Sequence, residues 1–297
     1  MMIIDRKKYL LMMLKEGVYK NTGVGMLRVL KQPIILPISK LIELACRALG
    51  QDKKMLARTF WGENMNVVFP EIVSCFIYRY GYFEEDLTQV MIDYLNDGDI
   101  FLDIGAHFGY YSMLGSCIVG KKGAVHSFEP TLSTYKIADS NLKKNNVVLS
   151  NKAVWSKSDK LIINDYGTQY SAFNSLFKAK LTNDISKNLK LSRNEVEAVC
   201  IDDYVRLKNI SPKFIKIDAE NAEYEILLGM SHVLNSIRPI ISLEVGDIGV
   251  EGFPDSSTCV RYILDKKYSA YEIENGKLKA HDLREHYSHM NLIFVPN

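Results

Sequence analysis

From Tyr80 onward, short apolar runs alternate with segments whose apolar residues recur at helical spacing. The runs at 100–104, 124–129, 147–154, 196–201, 213–218, 239–245, 269–273 and 291–295 predict strands, and 160–164 a short hairpin arm. Helical spacing fills the intervals at 85–95, 110–118, 133–145, 223–236 and 256–267. Such alternation predicts a doubly wound α/β domain with a mostly parallel sheet. We assign residues 79–297 to that domain and residues 1–78 to an N-terminal helical extension, with Gly17, Gly23 and Gly25 marking a loop. The Asp202-Asp203 pair suits a helix N-cap.

Within the extension, residues 34–49 are apolar but carry Pro37, Lys40, Glu43 and Arg47, too many charges and too few residues to span a bilayer. Ile38, Leu41, Ile42, Ala45 and Leu49 fall on one helical face. The expectation is a helix packed on the core through that face, with weak membrane-surface association as the alternative. Residues 165–194 are rich in Ser, Asn and Lys and lack periodicity, which predicts a lid or a disordered insertion.

Composition narrows the class. The 297 residues are 47% hydrophobic and 24% charged, enough apolar material for a real core. A net charge of +2 gives no ground for nucleic-acid binding. Five scattered cysteines without a CxxC pair argue against zinc and for reduced thiols. Charges at Asp5, Arg6, Lys7 and Lys8 break any signal-peptide core, so a cytoplasmic protein is expected.

Three places carry candidate chemistry. The first strand runs into Asp103-Ile104-Gly105-Ala106-His107-Phe108-Gly109, a glycine turn that lets backbone approach a ligand closely. Its D-x-G-x-x-x-G spacing is not the G-x-G-x-x-G of dinucleotide folds. The second strand ends in Glu129-Pro130, where a carboxylate can accept from ribose hydroxyls. Small residues at Ala153 and Val154 would leave room for an adenine, although ordinary core is an equal reading. The strand before residue 218 is the most informative. Lys216 and Asp218 share its face, and Glu220 and Glu223 follow. A lysine with three carboxylates at the end of an apolar strand leans towards a site, since isolated buried charge is costly. Glu244, near the end of the next strand, could join them. A carboxylate or lysine-tuned base there would suit removal of a hydroxyl proton.

Together these residues resemble the FkbM-type methyltransferase family over about residues 80–297. Residues 99–112 (DIFLDIGAHFGYYS) are similar to its first motif, 126–130 (HSFEP) to its second, and 214–223 (FIKIDAENAE) to its K-I-D-V-E-G-A-E motif. The resemblance implies a class I methyltransferase fold, Rossmann-like and seven-stranded with the last strand antiparallel. It implies S-adenosylmethionine as cofactor and O-methylation of a sugar, glycan or other small polar acceptor. Asp103, Gly105, Ala106, His107 and Gly109 would surround the methionine part and Glu129 the ribose, with Tyr110, Pro130, Ala153 and Val154 completing the cofactor contacts. Asp218 would lie beside the methyl group. Catalytic candidates are Asp218, Glu220, Lys216, Glu223 and Glu244, and acceptor candidates are Glu84, Glu220 and Asn221. No metal is expected, because Lys216 can supply positive charge. His107 stands where the family has Asn, and Asn221 replaces its Gly. The rivals are a dinucleotide-dependent oxidoreductase and a non-catalytic scaffold on the same fold. Oligomeric state is left open.

Overall fold

The computed structural model describes residues 6–168, 192–247 and 254–297. At its centre lies β3 (Ile100–Ile104), flanked in parallel by β4 (Ala124–Phe128) and β9 (Phe214–Ile217). With β5 (Val147–Ser150), β10 (Ile240–Val245), β11 (Tyr268–Glu274), β12 (Lys277–Ala280) and β13 (Met290–Pro296) they form one sheet, ordered β12-β11-β13-β10-β9-β3-β4-β5. Strand β13 runs antiparallel to both its neighbours. This is the expected class I arrangement, lengthened to eight strands because residues 277–280 fold back on β11.

Side chains on both sheet faces are enclosed, as a parallel sheet requires. Phe101, Leu102, Ile215, Ile217, Ile241 and Leu243 are fully buried. Helix α6 (Tyr110–Val119) packs on β3 and β4. Helices α7 (Leu132–Asn141), α8 (Ile201–Lys208), α9 (Glu223–Leu228) and α10 (Ser256–Leu264) complete this unit, which comprises Leu95–Gly167 and Ser171–Asn297.

Several expectations are corrected. The strand expected over 147–154 splits, and β6 (Ala153–Val154) leaves the main sheet to pair with β8 (Ser192–Val199). The predicted arm is β7 (Asp159–Asp165), also paired with β8. The helix expected over 223–236 breaks at Gly229, where a Cβ would come within 2.5 Å of Trp155 O. It resumes as a wide turn at Val233–Ile237. Asp202 does not cap α8, whose N-cap is Cys200. Its carboxylate instead accepts from the backbone N–H groups of His232 (2.8 Å) and Val233 (2.9 Å), and so caps the resumed segment. Of the expected lid, Asp165 ends β7 and Ser192 opens β8; residues 169–191 lie outside the described residues.

The other unit comprises Met1–Tyr94 with Thr168–Tyr170. The division thus follows Tyr94 rather than residue 78. The reason is packing: α1 (Arg6–Asn21) lies against both α4 (Ile72–Tyr80) and α5 (Glu85–Tyr94). Gly17 meets Tyr80 so closely that a Cβ would fall 2.8 Å from its carbonyl oxygen. Lys7 Nζ donates to Asp93 O at 2.8 Å. Nor is the unit all helical. After α2 (Met26–Lys31) and α3 (Ile35–Leu49), an antiparallel hairpin joins β1 (Lys53–Arg58) to β2 (Asn64–Phe69). Thr59 closes it, its N–H and hydroxyl both donating to Glu63 O at 2.9 Å.

The amphipathic helix forms as expected, but it is turned round. Leu36, Ser39 and Cys46 face inward, whereas Ile38, Leu41, Ala45 and Leu49 are exposed. The inward side is tied by polar bonds. Arg79 donates to Ser39 Oγ at 2.9 Å and pairs with Glu43, which also holds Arg47 at 3.1 Å. No helix among the described residues is long and apolar enough to cross a membrane.

Candidate active site

Register across the sheet brings one polar row together. Ser127 of β4, Asp103 of β3, Lys216 of β9 and Ser242 of β10 are successive partners on adjacent parallel strands. Asp103 is 0% exposed and Lys216 2%. Ser112 of α6 donates to Asp103 Oδ2 at 2.5 Å and lies 2.7 Å from Ser127 Oγ. Lys216 Nζ donates to Asp218 Oδ2 at 2.9 Å and to Gly105 O at 3.3 Å, and sits 3.9 Å from Asp103 Oδ1. Burial drives the Asp103 carboxyl upward against the pull of Lys216 and Ser112. Asp103 Oδ1 and Ser242 Oγ are buried without a hydrogen-bond partner.

The glycine turn follows β3. Gly105 has φ +78°, and an added Cβ would lie 1.7 Å from Asp218 O, so no other residue fits. The N–H groups of Gly105 and Ala106 both donate to Phe128 O at 3.0 Å, tying this turn to the end of β4. His107 has φ +51°, its ring lies 4.0 Å from that of Phe108, and its N–H donates to Glu129 Oε2 at 3.0 Å. Glu129 Oε1 accepts from Thr131 N at 3.0 Å. Glu129 is buried, and this pushes its carboxyl up to about 8 despite those two donors. Gly109, at φ +91°, caps α6, which Tyr110 opens. Asn151 donates to the carbonyls of Glu129 and Pro130 at 2.9 Å each.

Past β9 the chain turns through Glu220 (φ +51°) and Asn221 (φ +76°). Asn221 therefore occupies the left-handed position that the family's Gly takes, which Asn tolerates. Oxygens of Asp218, Glu220 and Glu244 lie within 4.8 Å of one another. Burial raises Asp218, but the Lys216 charge and hydrogen bonds from Glu244 and Lys216 outweigh it and hold this carboxyl below its usual range. Burial and the Asp218 charge drive Glu244 well above. Lys216, 2.9 Å from Asp218 Oδ2, thus favours charge on Asp218 over charge on Glu244. Burial and Asp218 push Glu220 up to about 9. Burial lifts Glu223 to about 7, although it accepts from Ala219 N at 2.9 Å. The trio could ligate a cation by spacing alone. Lys216, 2.9 Å from Asp218 Oδ2, already places one positive charge beside it.

Glu220, Asn221, Glu223 and Glu244 line a cavity of about 120 Å³. Its other wall was not legible in the sequence: Tyr224, Asp247, Asp255, Ser256, Cys259 and His289. Asp247 accepts from Ser256 N (2.9 Å) and Tyr287 N (2.8 Å), and His289 Nε2 lies 3.3 Å from Glu244 Oε1. Ala153 packs with Ile163 and Val196, and Val154 packs in the main core cluster with Ile104 and Phe128. Glu84 belongs to the first unit, where it precedes α5 with φ +39°.

The donor set fits S-adenosylmethionine. Asp103 Oδ1, buried without a hydrogen bond and 3.9 Å from the Lys216 ammonium, is an acceptor that suits the ammonium group of an amino acid, and the Glu129 carboxyl at the end of β4 suits a ribose diol. A mostly parallel sheet with the antiparallel strand β13 beside β10, opening at its carboxyl ends onto a glycine turn, defines a class I S-adenosylmethionine-dependent methyltransferase. The family model for the methyltransferase FkbM domain matches residues 103–271, and the chain belongs to that family. The oxidoreductase and scaffold readings give way to it. The hexuronic acid methyltransferase AglP of Haloferax volcanii is 22% identical over 160 residues, covering 53% of this chain and 61% of that protein. The chain thus spans less than two thirds of that relative. Among solved structures, the FkbM methyltransferase of Methylobacillus flagellatus has 15% identity and a TM-score of 0.43, covering 67% of this chain and 44% of that one. An O-methyltransferase of Thermotoga maritima has 12% identity and a TM-score of 0.39, covering 84% and 81%.

Proposed function

We propose that the chain O-methylates a hydroxyl of a neutral sugar or glycan, with Asp218 as the base. The observation that carries this reading is geometric: Asp218 Oδ2 lies 2.9 Å from the buried Lys216 ammonium, and its carboxyl stands within 4.8 Å of those of Glu220 and Glu244, which line the cleft. S-adenosylmethionine, when bound, supplies an electrophilic methyl group on a positively charged sulfur. We assign Asp103, Gly105, Ala106, His107 and Gly109 to holding its amino-acid part and Glu129 to its ribose. Asp218 accepts the proton that the acceptor hydroxyl loses as its oxygen bonds to carbon. Lys216 keeps that carboxylate charged before the reaction and close to an ammonium after it. Protonated Glu220 and Glu244 can each donate to and accept from sugar hydroxyls. Alignment in a dry pocket supplies much of the remaining rate.

The acceptor's charge is argued from the cleft walls. Glu220, Glu223, Glu244, Asp247 and Asp255 face it, and His289 is the only basic side chain among the described lining residues. Asp247 and Asp255 are held below the usual carboxylate range, so even with Glu220 and Glu244 protonated the walls disfavour a carboxylate-bearing sugar, in contrast to the hexuronic acid in the relative's name. Labelled methyl transfer to paired glycosides, a neutral hexose and the corresponding hexuronate, tests this. We expect transfer to the neutral member; preference for the uronate would overturn the assignment of acceptor charge.

A further inference from the structure

We propose that the α2–α3 face of the first unit is a docking surface for an anionic lipid bilayer. The inference is independent of the methyl-transfer chemistry. Helix α3 is inverted relative to a core-packed helix. Its polar side, Ser39 and Glu43, is consumed by Arg79 and Arg47. Its apolar side faces out, with Ile34 and Leu41 each 68% exposed. Ile34, Ile38, Leu41, Ala45 and Ala48 follow one another at helical spacing along that exposed side. Helix α2, joined to it through Gln32, buries none of its residues, and Leu30 is 69% exposed. Apolar faces this large on soluble chains mark contact with protein or membrane.

Charge decides which. Residues 6–49, the three helices, carry nine Lys and Arg against two Asp and Glu, although the whole chain is only +2. The first unit's helical end is therefore strongly basic and the remainder acidic. A second copy would set basic surface against basic surface around the same apolar face. An anionic bilayer offers hydrocarbon to Ile38 and Leu41 and negative headgroups to Lys40, Lys53 and Lys54, all exposed. The apolar stretch is too short to span, so the helices would lie in the interface.

Vesicle flotation of the full chain tests this, with phosphatidylcholine vesicles set against vesicles containing phosphatidylglycerol. The protein should float with the anionic vesicles, and salt should weaken the effect. Ile38→Glu with Leu41→Glu should abolish flotation, and Lys40→Glu should lower the affinity for anionic vesicles by about fivefold or more, since each basic charge at the surface contributes about 1 kcal/mol. Unchanged S-adenosylmethionine affinity in these variants would verify that they fold. Equal flotation of the variants, or none by the wild type, would overturn the proposal. So would a concentration-dependent dimer that the double variant abolishes without vesicles.

Discussion

Lys216 Nζ lies 2.9 Å from Asp218 Oδ2, two residues further along the same chain, and this bond fixes which carboxyl of the cluster is ionised. Lys216 is almost fully buried, so its charge would be costly without Asp218 and the nearby Asp103. The ammonium in turn keeps Asp218 charged among Glu220, Glu223 and Glu244, each raised by burial and by that charge. Asp218→Asn should therefore lower kcat by about 10²–10⁴, the usual contribution of a general base, while S-adenosylmethionine still binds. Single-turnover methyl transfer alongside calorimetric titration checks this, and wild-type turnover would remove Asp218 from the chemistry.

Gly105 touches the same residue through the backbone. A Cβ there would lie 1.7 Å from Asp218 O, and a carbonyl in a strand end has nowhere to go. Gly105→Ala should cost about 3 kcal/mol or more, at the top of the range for single substitutions. Gly98 is the control: it has φ +91°, but its nearest neighbour would be Lys122 Cβ at 3.9 Å. Gly98→Ala should cost only about 1–2 kcal/mol of backbone strain. Comparable losses in urea titrations of the two variants would contradict the close contact.

Glu129 holds two backbone N–H groups, those of His107 and Thr131. Its loss should loosen the glycine turn as well as remove a ribose partner. Glu129→Ala should weaken cofactor binding by about 1–3 kcal/mol. Calorimetric titration with S-adenosylhomocysteine reads the change, and an unaltered affinity would place the ribose elsewhere.

The raised carboxyls fix the sign of a pH effect. Burial pushes the Glu223, Glu129 and Glu220 carboxyls up to about 7, 8 and 9 in the folded chain, well above the ordinary glutamate range. The folded state therefore binds more protons than the unfolded one. The stability they confer is full below the unfolded value and is lost as pH rises through the folded values. Tm of the cofactor-free protein should fall between about pH 5 and about pH 9, and Glu220→Gln should flatten the upper part of that fall. A Tm that climbs over the same interval would mean these carboxyls are ionised.

Much of this was legible because parallel strands deliver their C-terminal residues to one edge. Asp103, Glu129 and Lys216 could each be placed near a strand's carboxyl end, but the Asp103–Lys216 pairing needs the strand order, which the sequence does not carry. The far wall of the cleft was not legible. Asp255 caps α10 and Asp247 ties Ser256 to Tyr287, and neither role has a local signature pointing at a site. Periodicity gave the amphipathic helix α3 but not its facing, since the Glu43–Arg79 pair that turns its polar side inward joins residues 36 positions apart. The break at Gly229 depends on Trp155, a contact that no helical pattern encodes.

The central claim is methyl transfer to a neutral sugar hydroxyl, with Asp218 as the base, at the cleft lined by Glu220 and Glu244. Mass spectrometry of a neutral oligosaccharide incubated with the protein and methyl-deuterated S-adenosylmethionine tests it most directly. The account predicts one labelled methyl group on a sugar oxygen with the wild type and almost none with Asp218→Asn. Label on nitrogen or carbon, or equal labelling by the variant, would contradict it.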